Sequence, residues 1–377
     1  MSKHISVLLN EAIDMLDVKE NGIYIDGTLG RGGHSEQILK RLKGGKLYCF
    51  DLDNVAIAES KERLSAYENV EFIHDNYKNM FNYVDKVDGI ILDLGVSSPQ
   101  FDESERGFSY RFDGPLDMRM NKDDKLSAYE VVNHYSKEEL EHVLRDYGEE
   151  KYYRSIVSNI LKTREEKVIE TTFELVEVIK RSLPYKVLNS KGHPAKQTFQ
   201  AIRIEVNHEL DSLKEFLNSF EGKLNKDGRV VIITFHSLED KLVKYKFKEL
   251  STVVDDLRIA KLPSEIETAD YTLLSRKAVI ASDEELTNNP RSKSAKLRGI
   301  KYGKDLQEYH EKHPLYHVKP NSSPAFRNIQ ICILREKYVM VSKEKAPAIH
   351  FLIQHPKMVN AFENMIIPVT EEETAPY

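Results

Sequence analysis

Asp26, Asp51, Asp75 and Asp93 each close a short apolar run, and glycines crowd behind the first of them. Gly27, Gly30, Gly32 and Gly33 all lie between Asp26 and His34. Glycines permit positive φ and let a ligand approach the backbone, and a helix that follows offers free N–H donors. Such a turn between strand and helix is a nucleotide-cofactor arrangement. Asp51, 25 residues after Asp26, is placed to meet ribose hydroxyls. Asp93 runs into Leu94-Gly95-Val96-Ser97-Ser98-Pro99-Gln100-Phe101. These residue types suit methyl transfer to an exocyclic amine. The amine is a poor nucleophile because its lone pair is delocalised into the ring. Acceptors on its N–H atoms localise that pair and later take the proton. Ser98 and the carbonyls around Pro99 are candidate acceptors, and Phe101 offers a face for an unstacked base. The plainer alternative makes Ser-Ser-Pro an ordinary turn and Phe101 a core residue.

The elements that must position these residues are legible in the apolar pattern. Ile23, Tyr24 and Ile25 read as a buried strand. A helix follows, with Ser35 as N-cap and Ile38, Leu39 and Leu42 on one face. Residues 46–53, 70–75 and 87–94 are the next three strands. At the end of the second, Asp51 is assigned to a ligand and Asp53 to the cap of the following helix. Strands alternating with helices predict an α/β fold with a doubly wound, mostly parallel sheet. Ligands in such sheets sit beyond the carboxyl ends of the strands, where all four acids fall. A leading helix is expected over 7–16.

The pattern turns helical over about 100–203, which reads as an insertion between two strands. Ser136 and Glu139 form a capping box, and Gly148 ends that segment. Another helix is stopped by Pro184. One long helix is expected over about 199–220, then a turn at 225–228 and a fifth strand over 229–235. His236 ends that strand as a base, an RNA contact or a structural residue, with Ser237 as the next N-cap. Residues 277–281 and 295–302 are candidate closing strands, 329–334 is strand-like, and 370–377 is expected to fray.

With 377 residues, net charge −6, 40% hydrophobic and 31% charged residues, the chain is expected to be soluble and to hold more than one domain. No apolar run nears the ~20 residues of a membrane helix. The N-terminus lacks a signal peptide's apolar core. Two cysteines without a Cys-x-x-Cys pair fit a reducing cytoplasm, and no metal site is expected. The acidic balance argues against a protein that coats nucleic acid, although Arg291, Lys293, Lys296, Arg298, Lys301 and Lys304 make a local basic stretch without an acid.

Taken together, these segments resemble a specific family, the bacterial 16S ribosomal RNA cytosine-N4 methyltransferases (RsmH, formerly MraW). The resemblance runs over about 4–298. It is carried by 4–9, 24–35, 93–100, Arg106-Gly107-Phe108-Ser109, 114–120, 147–150, 193–207, 235–240 and 289–298. It implies a Rossmann-like methyltransferase sheet with an inserted helical domain. It also implies S-adenosylmethionine as donor and a cytidine in the decoding region of the small ribosomal subunit as acceptor. The cofactor positions it implies are Gly32, Gly33, His34, Asp51, Asp93 and Gln100, with Tyr77 where the family usually has Phe. Asp93 joins Ser98, Pro99 and Phe101 as a candidate catalytic residue. Asp117, Arg119, His193, His236, Arg291 and Lys293 are the candidate substrate contacts. The expected domains are 1–104 and 205–303 for the methyltransferase, 105–204 for substrate recognition, and 304–377 as an extension of unknown role. A homodimer is left open. Two departures stand out: Gln197 replaces a usual Arg, and about 75 residues follow the family's usual end.

Overall fold

The computed structural model describes residues 6–189, 192–252 and 269–303, and three strands at 329–334, 338–343 and 349–353. Seven strands form one sheet: β1 (Ile23–Asp26), β2 (Lys46–Asp51), β3 (Val70–His74), β4 (Val87–Asp93), β5 (Leu224–Thr234), β6 (Tyr271–Leu273) and β7 (Lys296–Tyr302). Their order is β3-β2-β1-β4-β5-β7-β6. The first five pair in parallel, and β7 runs antiparallel to both β5 and β6. The doubly wound, mostly parallel sheet expected from the sequence is therefore present. The alternating side chains of each strand feed two cores. Ile25, Phe50, Ile90 and Leu92 pack with Phe216 and Phe220 on one face. Tyr24, Leu47 and Ile91 pack with Ile13, Leu16 and Ile38 on the other. Burial on both faces explains why β4 is apolar almost throughout.

The helices are α1 (Leu9–Leu16), α2 (Gly33–Leu39), α3 (Asn54–Arg63), α4 (Ser98–Asp102), α5 (Ala128–His134), α6 (Lys137–His142), α7 (Tyr153–Glu166), α8 (Thr172–Arg181), α9 (Tyr185–Leu188), α10 (Lys196–Asn207), α11 (Glu209–Ser219), α12 (Ser237–Leu250) and α13 (Asp283–Asn288). Helices α5 to α10 enclose a third core, in which Val131, Leu144, Ile156, Ile179, Phe199 and Ile202 are buried. Asp53 caps α3 by accepting from the Val55 N–H at 3.0 Å, as expected. The Ser136–Glu139 capping box of α6 is formed too.

Several local expectations are corrected. Helix α2 starts at Gly33, because the Ser35 hydroxyl donates to Asp26 at 2.6 Å instead of capping. The single long helix is two: His208 takes a left-handed φ of 48° between α10 and α11. Strand β5 runs through the expected turn, with Asp227 at φ 64° beside a register shift at Val87 and Gly89. The N-cap of α12 is His236, not Ser237. Residues 277–281 contribute only a bridge from Val279 to Leu297, and the strand beside β7 is β6, whose three residues carry too little pattern to be found. Cys49 is a buried free thiol.

The strands described beyond Gly303 belong to a second unit of the chain. Its described part is an antiparallel sheet of β8 (Ile329–Leu334), β9 (Tyr338–Lys343) and β10 (Ile349–Ile353), in the order β10-β9-β8. The expected frayed end at 370–377 lies outside the described residues, as does Lys304.

Candidate active site

One cleft opens beyond the carboxyl ends of β1 to β5. The glycine loop forms its floor. Gly30 and Gly32 hold φ of 51° and 73°, and the Gly30 N–H donates to Asp51 Oδ2 at 2.7 Å. The Asp53 N–H donates to Asp51 Oδ1 at 2.8 Å. Each oxygen keeps a lone pair for a further donor, as paired ribose hydroxyls require. Thr28 joins the first and fourth strand ends. Its N–H donates to Asp26, and its Oγ1 accepts from the Asp93 N–H at 2.6 Å. His34 is buried, with Nε2 3.1 Å from the Val7 carbonyl and Nδ1 3.8 Å from Asp93 Oδ2. Tyr77 lines the cleft and meets Phe216 edge-on.

The cleft is strongly acidic. Burial pushes Asp26 and Asp51 up to about 6, and it pushes Asp93 well above the carboxylate range with Asp26 and Glu239 adding to the effect. Grouped buried carboxylates favour a cationic ligand, whose charge would offset theirs. Asp93 Oδ1 is buried without a hydrogen-bond partner. A buried orphan oxygen on a residue that lines a cleft calls for a hydrogen-bond donor.

The Ser97–Phe101 turn is organised differently from the sequence expectation. It folds into α4, so the carbonyls of Ser97 and Pro99 accept from Phe101 and Glu103. Each of these carbonyls keeps one lone pair, and Asp93 Oδ1 is a further acceptor without a partner. Phe101 packs against the helical core rather than lining the cleft. The Ser98 side chain lies outside the described residues. Gln100 is buried at the cleft wall, but its amide is used internally: Oε1 accepts from Ser97 and Nε2 donates to Asp53 at 3.0 Å.

The six candidate substrate contacts scatter. Asp117 and Arg119 form a two-pronged pair, both contacts at 2.8 Å, in a loop next to Met120, which lines the cleft. His193 stacks on Tyr110 at 4.3 Å in the helical layer. His236 lies at the end of β5 beside Glu239. Arg291 lines the cleft and pairs with Asp102 at 2.8 Å, with Lys293 exposed nearby. Much of the basic stretch is spent internally, since Lys296 and Arg298 both pair with Asp240 and Lys301 pairs with Asp227. Gln197 donates weakly to the Glu149 carbonyl at 3.4 Å.

Two organising residues escaped the sequence reading. Buried Arg106 donates to Asp53 at 2.6 Å and to the carbonyls of Arg119 and Met120. Asn207 accepts from the Met120 N–H at 2.7 Å and donates to the Met118 carbonyl at 2.8 Å. Both belong to segments that carried the resemblance, which was the only trace of their role.

A family model described as the MraW methylase family matches residues 1–302. The chain belongs to the MraW methylase family. A ribosomal RNA small subunit methyltransferase H from Mesoplasma florum is 52% identical over 305 residues, covering 79% of this chain and 98% of the relative. A protein of the same name from Clostridium botulinum is 53% identical over 305 residues, covering 78% and 97%. A solved rRNA methylase from Streptococcus thermophilus aligns with 80% of this chain and 99% of its own at 14% identity, with a TM-score of 0.35.

Proposed function

We propose that this chain transfers a methyl group from S-adenosylmethionine to the exocyclic N4 of a cytidine in 16S ribosomal RNA. The observation that carries this reading is Asp93 Oδ1, buried and unbonded at the cleft edge of β4. S-adenosylmethionine supplies a sulfonium-activated methyl group, and its positive charge suits the acidic cleft. The Gly30–Gly33 loop, Asp51 and Tyr77 would hold the donor, Asp51 being suited to its ribose hydroxyls and Tyr77 to its adenine. Asp93 accepts an N–H of the amine, localises the lone pair and aims it at the methyl group. Asp93 is also placed to take the proton released as the C–N bond forms and the methyl–sulfur bond breaks. Alignment does the remaining work, because a sulfonium leaving group needs no further activation. The helical layer 105–204 and Arg291 guide the RNA, in the cytoplasm, on the small ribosomal subunit.

The test is a methylation assay on 16S RNA and on isolated small subunits, followed by nucleoside mass spectrometry. N4-methylcytidine is expected in the decoding region. Label found only in 5-methylcytosine, in a 2′-O-methyl ribose or in DNA would overturn the proposal. Sedimentation of the same sample reads whether the enzyme acts as a homodimer.

A further inference from the structure

We infer that Glu209, His236 and Glu239 form a binding site for a divalent first-row metal cation on the wall of the cleft. No zinc-type spacing links these residues in the sequence. The fold brings them together from the start of α11 and the N-terminal end of α12, and one ligand atom from each lies within 4.8 Å of the others. The set is an imidazole with two carboxylates, which suits manganese or zinc better than calcium.

The second observation is the state of His236. Its side chain is only 7% exposed, yet neither ring nitrogen makes a hydrogen bond. Nε2 lies 3.0 Å from Glu239 Oε1, but off hydrogen-bond geometry. A buried imidazole whose Nε2 has only the Glu239 carboxylate beside it, and whose Nδ1 makes no hydrogen bond, calls for a further partner. A cation taking one ring nitrogen's lone pair supplies it.

The carboxylates are held ready. Arg203 grips Glu209 at 2.8 and 2.9 Å, leaving each oxygen a second lone pair. Glu239 Oε2 accepts from the Phe235 and His236 N–H groups at 2.8 and 3.3 Å, which leaves Oε1 for the metal. Such outer hydrogen bonds orient metal ligands. Glu209 and Glu239 line the cleft, so coordination positions not filled by protein open toward it. One arginine does not balance two carboxylates there, and a divalent cation reverses the local sign where a polyanionic RNA must approach.

The experiment uses the full chain, stripped with a chelator and titrated with Mn²⁺ alone while electron paramagnetic resonance counts the bound ion. One Mn²⁺ per chain is expected, with electron spin-echo modulation from one imidazole nitrogen. Zn²⁺ should displace it. His236→Gln should abolish the nitrogen modulation and weaken Mn²⁺ binding by about tenfold to a hundredfold. Circular dichroism and S-adenosylmethionine affinity report whether the variant is folded. Absence of stoichiometric Mn²⁺, absence of nitrogen modulation in the wild type, or undiminished Mn²⁺ affinity in folded His236→Gln would each overturn the site.

Discussion

At the scale of single residues, the chemistry turns on buried carboxylates. Asp93→Asn keeps the shape of the side chain but removes the basic oxygen. Turnover should fall about 10²–10⁴-fold with a much smaller change in donor affinity, as steady-state rates and calorimetry would show. Asp26 and Asp51 give a pH signature. Their protons leave near pH 6 in the folded chain, against an ordinary 3.8. Between those values the folded state holds protons that the unfolded state has lost. Stability of the ligand-free chain should therefore be fully favoured below about pH 4 by these two groups and decline as pH rises through 6. Urea titrations across that range test the slope, which Asp51→Asn should flatten. Affinity for the cationic donor should run the other way and tighten from pH 5 to 7.5 as the acids ionise. Asp51→Ala should weaken binding without unfolding the chain.

Elements matter because no single strand or helix holds the cleft in shape. Arg106, between α4 and α5, ties the Asp53 cap of α3 to the loop that carries Asp117 and Arg119. Both partners of the Arg106–Asp53 pair are buried, with side chains 4% and 9% exposed. Replacing Arg106 with Gln leaves a buried carboxylate uncompensated. We expect a loss of about 3–5 kcal/mol in urea unfolding, together with weaker donor binding. The break at His208 has a similar positioning role. It turns α11 so that Glu209 and Ser212 face the cleft, and the Arg203–Glu209 pair spans the bend.

For the whole molecule, the family match and its relatives cover residues 1–302 and about 305 residues, whereas the chain runs to 377. The sheet, the helical layer and the cleft all fall within 6–252 and 269–303. A chain ending at Gly303 should keep the wild-type affinity for S-adenosylmethionine within about twofold, a difference of a few tenths of a kcal/mol, by calorimetry. A tenfold loss would give the last 74 residues a part in the cleft.

The parallel sheet, the glycine loop, the acids at the strand ends, the Asp53 cap and the family itself were all legible in the sequence. These rest on local information: apolar period, turn chemistry and short motifs. Helix and strand boundaries were less legible where a side chain served a distant partner. Ser35 turned to Asp26 instead of capping α2, and the carbonyls of Ser97 and Pro99 became part of a short helix. Tertiary structure alone decided that Asp93 keeps an unbonded oxygen, that Arg106 and Asn207 brace the loop at 117–120, and that the basic stretch is largely paired. It also decided that Glu209, His236 and Glu239 meet. Burial and convergence depend on chain segments far apart in sequence, and no local pattern records which distant group will fill, or leave empty, a given hydrogen bond.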